Sequence, residues 1–243
     1  MFKKAFKLIL VLILLTTLFV CVYLLKKENN EDLKQENIYE DIIEIVEEKN
    51  DTKEDMENDI DIKKLYDINN DIVGWLKIEN SNMNYPIMQN KSIKNYYLRR
   101  NFYKEYSYYG TPYLKEECNI NSSDNLIVYG HHIKGQKIFG ELENYRNIEY
   151  YKEHQLIKLY TLDNLKEYEI IYVFKTIGNT GFDYYSYINF NDTSEFDIFN
   201  KKCKELAFFD TKIETTYGDK YITLSTCDYI SKNARLIVVA KQI

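Results

Sequence analysis

The stretch Tyr221-Ile222-Thr223-Leu224-Ser225-Thr226-Cys227 reads as a β-strand that ends on a thiol. Aromatic and β-branched residues suit a pleated, half-buried surface. Strand alternation puts Thr223 and Ser225 on one face and Thr226 on the other. A second apolar run, Arg235-Leu236-Ile237-Val238-Val239-Ala240, opens eight positions after Cys227. That hairpin-like separation returns the Arg235 guanidinium toward the thiol. Further runs of strand length and composition lie upstream, at Ile72 to Ile78, Met83 to Met88, Thr111 to Leu114, Leu126 to Tyr129, Leu156 to Tyr160 and Tyr168 to Ile177. Eight short strands separated by polar breaks predict a mainly β fold, an eight-stranded β-barrel whose closure removes exposed strand edges. Peripheral helices are expected before the first strand (Ile62, Leu65, Tyr66, Ile68), near Asn95–Leu98, and from about Ser194 to Phe208. In the last of these, Phe196, Phe199, Cys203 and Leu206 recur at helical spacing.

The net charge of −6 is unevenly spread. Residues 1–27 carry +5 and residues 28–61 carry −12, which leaves +1 on residues 62–243. A near-neutral domain offers no electrostatic support for nucleic-acid binding. With 8 Gly and 2 Pro in 243 residues, collagen-like and low-complexity chains are excluded as well. Lys3, Lys4 and Lys7 precede an uncharged run from Leu8 to Leu25, and Lys26 and Lys27 close it. That run is close to the length a membrane-spanning helix needs. No small-x-small cleavage site follows it, and Val20 before Cys21 does not suit lipoprotein processing. Residues 1–27 are therefore expected to be an uncleaved anchor. The excess of Lys at the N-terminal end puts that end in the cytoplasm and the domain outside. Residues 28–61 read as an acidic, partly helical stalk, with Ile38, Ile42 and Ile45 or Val46 at helical spacing. Residues 62–243 form the folded domain.

Few residues there offer nucleophile–base chemistry. The histidines are His131, His132 and His154, and the cysteines beyond the apolar run are Cys118, Cys203 and Cys227. Cys227 and Asp228 close one strand, His131 follows Leu126-Ile127-Val128-Tyr129-Gly130, and Arg235 opens a third strand. A thiol, an imidazole and a cation thus each stand at a strand end, where a rigid element holds an accessible group. Either His131 or its neighbour His132 can be the base. No C-x-x-C or H-x-x-x-H spacing suggests zinc, and adjacent His on a strand face opposite ways, so neither metal nor cofactor is expected. His154 (in Lys152-Glu153-His154-Gln155) and Cys118 (in Glu116-Glu117-Cys118-Asn119) sit in polar surroundings that read as exposed loops. Cys203 reads as core. A Cys118–Cys203 disulfide would be chemically permitted outside the cell.

The chain resembles the sortase family. Thr223-Leu224-Ser225-Thr226-Cys227 matches its TLxTC signature, Tyr129-Gly130-His131 its histidine strand, and Arg235-Leu236-Ile237-Val238-Val239 its arginine strand. Asp71-Ile72-Val73-Gly74-Trp75-Leu76 and Tyr85-Pro86-Ile87 also match, and the opening helix, the helical insertion and Phe139-Gly140-Glu141-Leu142 resemble class B. The resemblance implies a cysteine transpeptidase in which Cys227 attacks the carbonyl of a substrate Thr to form a thioester. It favours His131 over His132 as the acid and base, and gives Arg235 the role of binding substrate or the oxyanion. Thr223, Ser225 and Thr226 are candidate substrate contacts, and the Asp228 N–H is a candidate second oxyanion donor. The implied substrate is a secreted protein with a C-terminal LPxTG- or NPQTN-like sorting signal, and the implied acceptor is a peptidoglycan cross-bridge amine. Two other functions compete: a Cys–His cell-wall peptidase, which would not ordinarily recruit Arg235, and a surface binding domain without activity.

Overall fold

The computed structural model describes residues 2–47, 60–133, 135–178, 180–228 and 233–243. The chain divides into two compact units, Met1–Asp41 and Ile42–Ile243. Helix α1 (Phe2–Glu47) fills the first unit, and its last turns begin the second, where Ile42 and Val46 are buried. The short helix expected around Ile38–Val46 is therefore continuous with the apolar segment. The most apolar 18-residue window of α1 has a mean hydropathy of 3.0 and none of it is buried, the length and composition of a membrane-spanning helix. The remainder of the acidic stalk, residues 48–59, lies outside the described residues.

The second unit continues with α2 (Lys63–Ile68), β1 (Ile72–Ile78), β2 (Asn84–Met88), β3 (Tyr113–Leu114) and β4 (Asn125–Tyr129). A small hairpin follows, β5 (His132–Ile133) and β6 (Lys137–Ile138), and then α3 (Ile148–Glu153), β7 (Leu156–Tyr160) and β8 (Leu165–Ile177). Helix α4 (Thr193–Leu206) leads into β9 (Tyr221–Asp228) and β10 (Ala234–Gln242). Short 3-10 helices span Tyr96–Arg99, Gly140–Arg146 and Tyr184–Ser186. All eight expected strands are present, and they close a barrel in the order β1-β2-β3-β4-β9-β10-β8-β7. The β5–β6 hairpin and α3 were not expected, because segments this short carry no readable period.

Most neighbouring barrel strands are antiparallel, but β2 and β3 pair parallel at Met88↔Tyr113, and β4 and β9 run parallel from Asn125↔Tyr221 to Tyr129↔Ser225. Parallel partners end at the same end of a sheet. The C-terminal ends of β4 and β9 and the start of β10 therefore meet at one mouth of the barrel. Trp75, Leu126, Leu224, Leu236 and Val238 are among the buried core residues. Outside, α4 packs on β8 and β9. Asp192 caps it by accepting from the Glu195 N–H (2.9 Å), and Glu195 accepts in return from the Asn191 N–H (2.9 Å). Phe196 and Phe199 stack on the Tyr221 ring, and the Tyr221 hydroxyl donates to Asn200 Oδ1 (3.0 Å).

Candidate active site

In the β9–β10 hairpin Cys227 stands directly opposite Arg235, and Ser225 opposite Ile237. Directly paired residues share a sheet face. Positions 221, 223, 225 and 227 therefore share the outer face of β9 with Arg235 across the hairpin. The neighbouring segments cover most of that face. Tyr221 lies under α4, Thr223 Oγ1 donates to Asn125 Oδ1 (2.8 Å), and Asn125 Nδ2 donates to the Tyr187 carbonyl (2.9 Å). Ser225 Oγ and Tyr184 Oη share a hydrogen bond of 2.6 Å. Position 227 comes next, past the end of this cover. The side chains of Cys227 and Asp228 lie outside the described atoms; Asp228 closes β9 opposite Ala234.

His131 reaches the same mouth from the other side. The Gly130 N–H donates to the Ser225 carbonyl (3.1 Å), which carries the β4–β9 ladder one residue past Tyr129. The His131 carbonyl in turn accepts from the Phe139 N–H (3.0 Å). His131, two residues past the end of β4, thus comes to the mouth where Cys227 and Arg235 pair across β9 and β10, close enough for the Arg235 charge to act on its ring. Gly130 is needed for this: a Cβ there would sit 2.5 Å from the buried Phe139 ring. Gly130→Ala should cost roughly 1–3 kcal/mol through overpacking and displace His131, so activity should fall more than stability. Thermal melts beside peptide turnover would check this, and a variant with full turnover would show that the glycine is dispensable.

His131 Nε2 lies 2.8 Å from the Leu98 carbonyl. A carbonyl only accepts, so Nε2 carries the proton and Nδ1 is the basic nitrogen when the ring is neutral. Burial lowers the His131 pKa, and the Arg99 and Arg235 guanidinium groups lower it further against the opposing pull of Leu98. A lowered folded pKa means that the folded state binds fewer protons than the unfolded state in the window below the ordinary value of 6.5. Stability should then fall as pH drops through that window. Comparing thermal midpoints of wild type and His131→Gln at about pH 7.5 and about pH 5 should show a gap that moves against wild type in acid. Parallel midpoints would contradict it.

Arg235 extends from the start of β10. Its Nη1 donates to the Ala234 carbonyl (3.1 Å), and its guanidinium carbon lies 4.0 Å from where a Cβ on Gly178 would stand. Thr226 is buried on the opposite strand face from Ser225, and its Oγ1 has no hydrogen-bond partner among the described residues. Thr223 is likewise buried beneath Asn125.

Several expectations need correction. His154 is buried, not exposed: its ring stacks on Tyr150, and its nitrogens bond the Tyr150 and Asn80 carbonyls (2.8 and 3.0 Å). A polar local sequence concealed a residue that ties α3 to the β1–β2 turn. Cys118 is also buried, with its thiol directed at the Asn125 carbonyl (3.6 Å). The Cys118–Cys203 pairing that the sequence left open is not formed, and both are free thiols. His132 is buried beside Glu143, at 3.4 Å from Nε2 to Oε2, and it belongs to the β5–β6 hairpin. Two positioning groups went unforeseen, the Leu98 carbonyl and Asn125. A backbone carbonyl leaves no trace in side-chain patterns. Asn125 does leave one, as a polar residue opening an otherwise apolar strand.

A closed mixed barrel with a cysteine, a histidine and an arginine brought to one mouth is the frame of a cysteine acyl-transfer enzyme. The sortase domain family model matches residues 76–243. Sortase B of Staphylococcus aureus is 31% identical over 182 residues, which cover 74% of this chain and 73% of that protein. The crystal structure of Clostridium perfringens sortase B superposes with a TM-score of 0.70 at 30% identity, covering 75% of this chain and all of that one. The S. aureus sortase B–substrate complex gives a TM-score of 0.69 at 29% identity, covering 75% and 84% of the two chains. The chain belongs to the sortase family of cysteine transpeptidases, and its relatives place it with class B.

Proposed function

We propose that this sortase cleaves a C-terminal sorting signal after a threonine and transfers the new carboxyl to a cell-wall amine, with Cys227, His131 and Arg235 as its catalytic residues. The observation that supports this reading is the pairing of Cys227 with Arg235 across β9 and β10, with His131 just past the end of β4 and within reach of the Arg235 charge. A free thiol is only a few per cent ionised at neutral pH. His131 Nδ1 takes the Cys227 proton, and the thiolate attacks the threonine carbonyl. The C–N bond breaks as the imidazolium returns that proton to the leaving amine, and a thioester remains. An incoming amine then gives a proton to His131 and attacks the thioester, which releases the thiolate. Arg235 and the Asp228 N–H stabilise the tetrahedral oxyanion. All three candidate hydroxyls are buried, and Ser225, on the Arg235 face, is engaged by Tyr184, so it supports the site from beneath. Thr223 and Thr226 act through strand packing. Residues 1–27 anchor the enzyme with its N-terminus inside, residues 28–61 form the stalk, and the catalytic domain of residues 62–243 works outside the membrane.

The test is turnover of fluorescence-quenched peptides carrying LPxTG- or NPQTN-like motifs by the full-length chain in detergent micelles. Cleavage after threonine, converted to ligation by an added amine, supports the reading. Hydrolysis that no amine diverts would replace it with the peptidase reading.

A further inference from the structure

The Leu98 carbonyl that meets His131 belongs to a segment held by a partly buried hydrogen-bond chain. Leu98 lies in the 3-10 helix Tyr96–Arg99, too short a segment to hold its own position. The residue before it, Tyr97, is buried. Its hydroxyl donates to Asp71 Oδ2 (2.8 Å) and accepts from Asn69 Nδ2 (3.0 Å). Asn69 also donates to the Phe102 carbonyl (2.5 Å), and its Oδ1 accepts from the Asp71 N–H (3.1 Å). Asp71 Oδ2 further meets Lys104 Nζ at 3.2 Å and Asn90 Nδ2 at 3.5 Å. The Tyr97 carbonyl accepts from the Thr111 N–H (3.1 Å). Gly110, at φ +62°, closes the loop so tightly that a Cβ would stand 2.6 Å from the Leu98 oxygen. The segment is thus tied to the corner between α2 and β1, well away from β4 in the chain. What it presents to the imidazole is one fixed acceptor.

We infer that Asn69, Asp71 and Tyr97 are positioning residues that hold the Leu98 carbonyl as the orienting partner of His131, so that the imidazole keeps Nδ1 free toward Cys227. The inference rests on the role proposed above for His131. Cysteine–histidine enzymes need a third group to fix the ring, because the wrong tautomer presents a proton where a lone pair is required. Here that group is a backbone oxygen, and its placement is delegated to a buried phenol.

The experiment is nitrogen-15 NMR of His131 in the full-length chain in micelles, set beside steady-state kinetics of Tyr97→Phe and Asp71→Asn. In wild type the neutral ring should be the Nε2–H tautomer. Tyr97→Phe keeps the ring packing and removes only the hydroxyl. It should mix the tautomers and lower kcat roughly ten- to hundredfold with KM within about twofold, because the peptide still binds. Asp71→Asn should act in the same direction. A wild-type ring protonated at Nδ1 overturns the proposal, whatever the variants do. So does a folded Tyr97→Phe enzyme with unchanged tautomer and kcat. If no sorting peptide is turned over by wild type while the tautomer result holds, the functional reading fails and the positioning chain stands.

Discussion

Cys227→Ala is expected to remove thioester formation altogether, with kcat lowered by at least roughly 10⁴-fold. No other described thiol can substitute for it within the barrel unit. Cys118 is buried and its thiol is pushed up to about 11 by that burial, and Cys203 is raised well above the ordinary range for the same reason. Both remain protonated at neutral pH and inert as nucleophiles. Cys227 lies near the end of β9, which runs Tyr221–Asp228, and the substitution leaves the β9–β10 backbone pairing in place. The variant's thermal midpoint should lie close to that of wild type. Intact-protein mass spectrometry after mixing with a sorting peptide reads the outcome directly. Wild type should carry the acyl adduct on the peptide containing Cys227, and the variant none. An adduct that persists in the variant would move the nucleophile elsewhere and break the grouping of positions 131, 227 and 235 as an account of catalysis.

Arg235→Ala comes next in expected size, a fall in kcat/KM of about 10²–10³, the usual cost of removing one oxyanion donor. The conservative Arg235→Lys should recover only a small part. Lysine keeps the charge but lacks the planar fork, and nothing replaces the geometry set by the Ala234 carbonyl and the Gly178 backbone. The two variants should separate in a second measurement. Burial is the main cause of the lowered His131 pKa, and the Arg99 and Arg235 charges add to it. Arg235→Ala should therefore raise the pKa of His131, whereas Arg235→Lys should leave it near the wild-type value. Titration of the imidazole by NMR, together with peptide turnover, would show both effects. If Arg235→Ala turned over peptide at the wild-type rate, the guanidinium would have no part in the chemistry.

Much of this architecture was legible beforehand. All eight barrel strands were anticipated because each is a short apolar run between polar breaks, and the barrel residues Ile72–Ile78 and Leu156–Tyr160 match their expected bounds. The nearness of the candidate residues was partly legible, since Cys227 and Arg235 stand at the joined ends of a hairpin and His131 follows an apolar run. What could not be read was the pairing that joins them. Antiparallel neighbours announce themselves through short loops, as β9 and β10 do. The parallel contact between β4 and β9 is long-range and has no local signature. His154 and Cys118 misled for a related reason. Their polar neighbours describe the local chain, whereas their burial is decided by distant segments, the β1–β2 turn for one and the start of β4 for the other. Leu98 contributes only its carbonyl, which every residue possesses.

The parallel contact has a temporal consequence. Thr223 and its partner Asn125 are separated by 98 residues, and β10, which supplies Arg235, pairs with both β9 and β8. Closing a sheet across such distances is slow, because loop-closure entropy is lost before any distant contact compensates for it. The barrel therefore stays open until the β4–β9 seam forms across that separation. Positions 131, 227 and 235, the residues proposed for catalysis, become neighbours only when the barrel closes. An open barrel would hold those positions apart, and removal of β10 alone should leave a protein without peptide turnover.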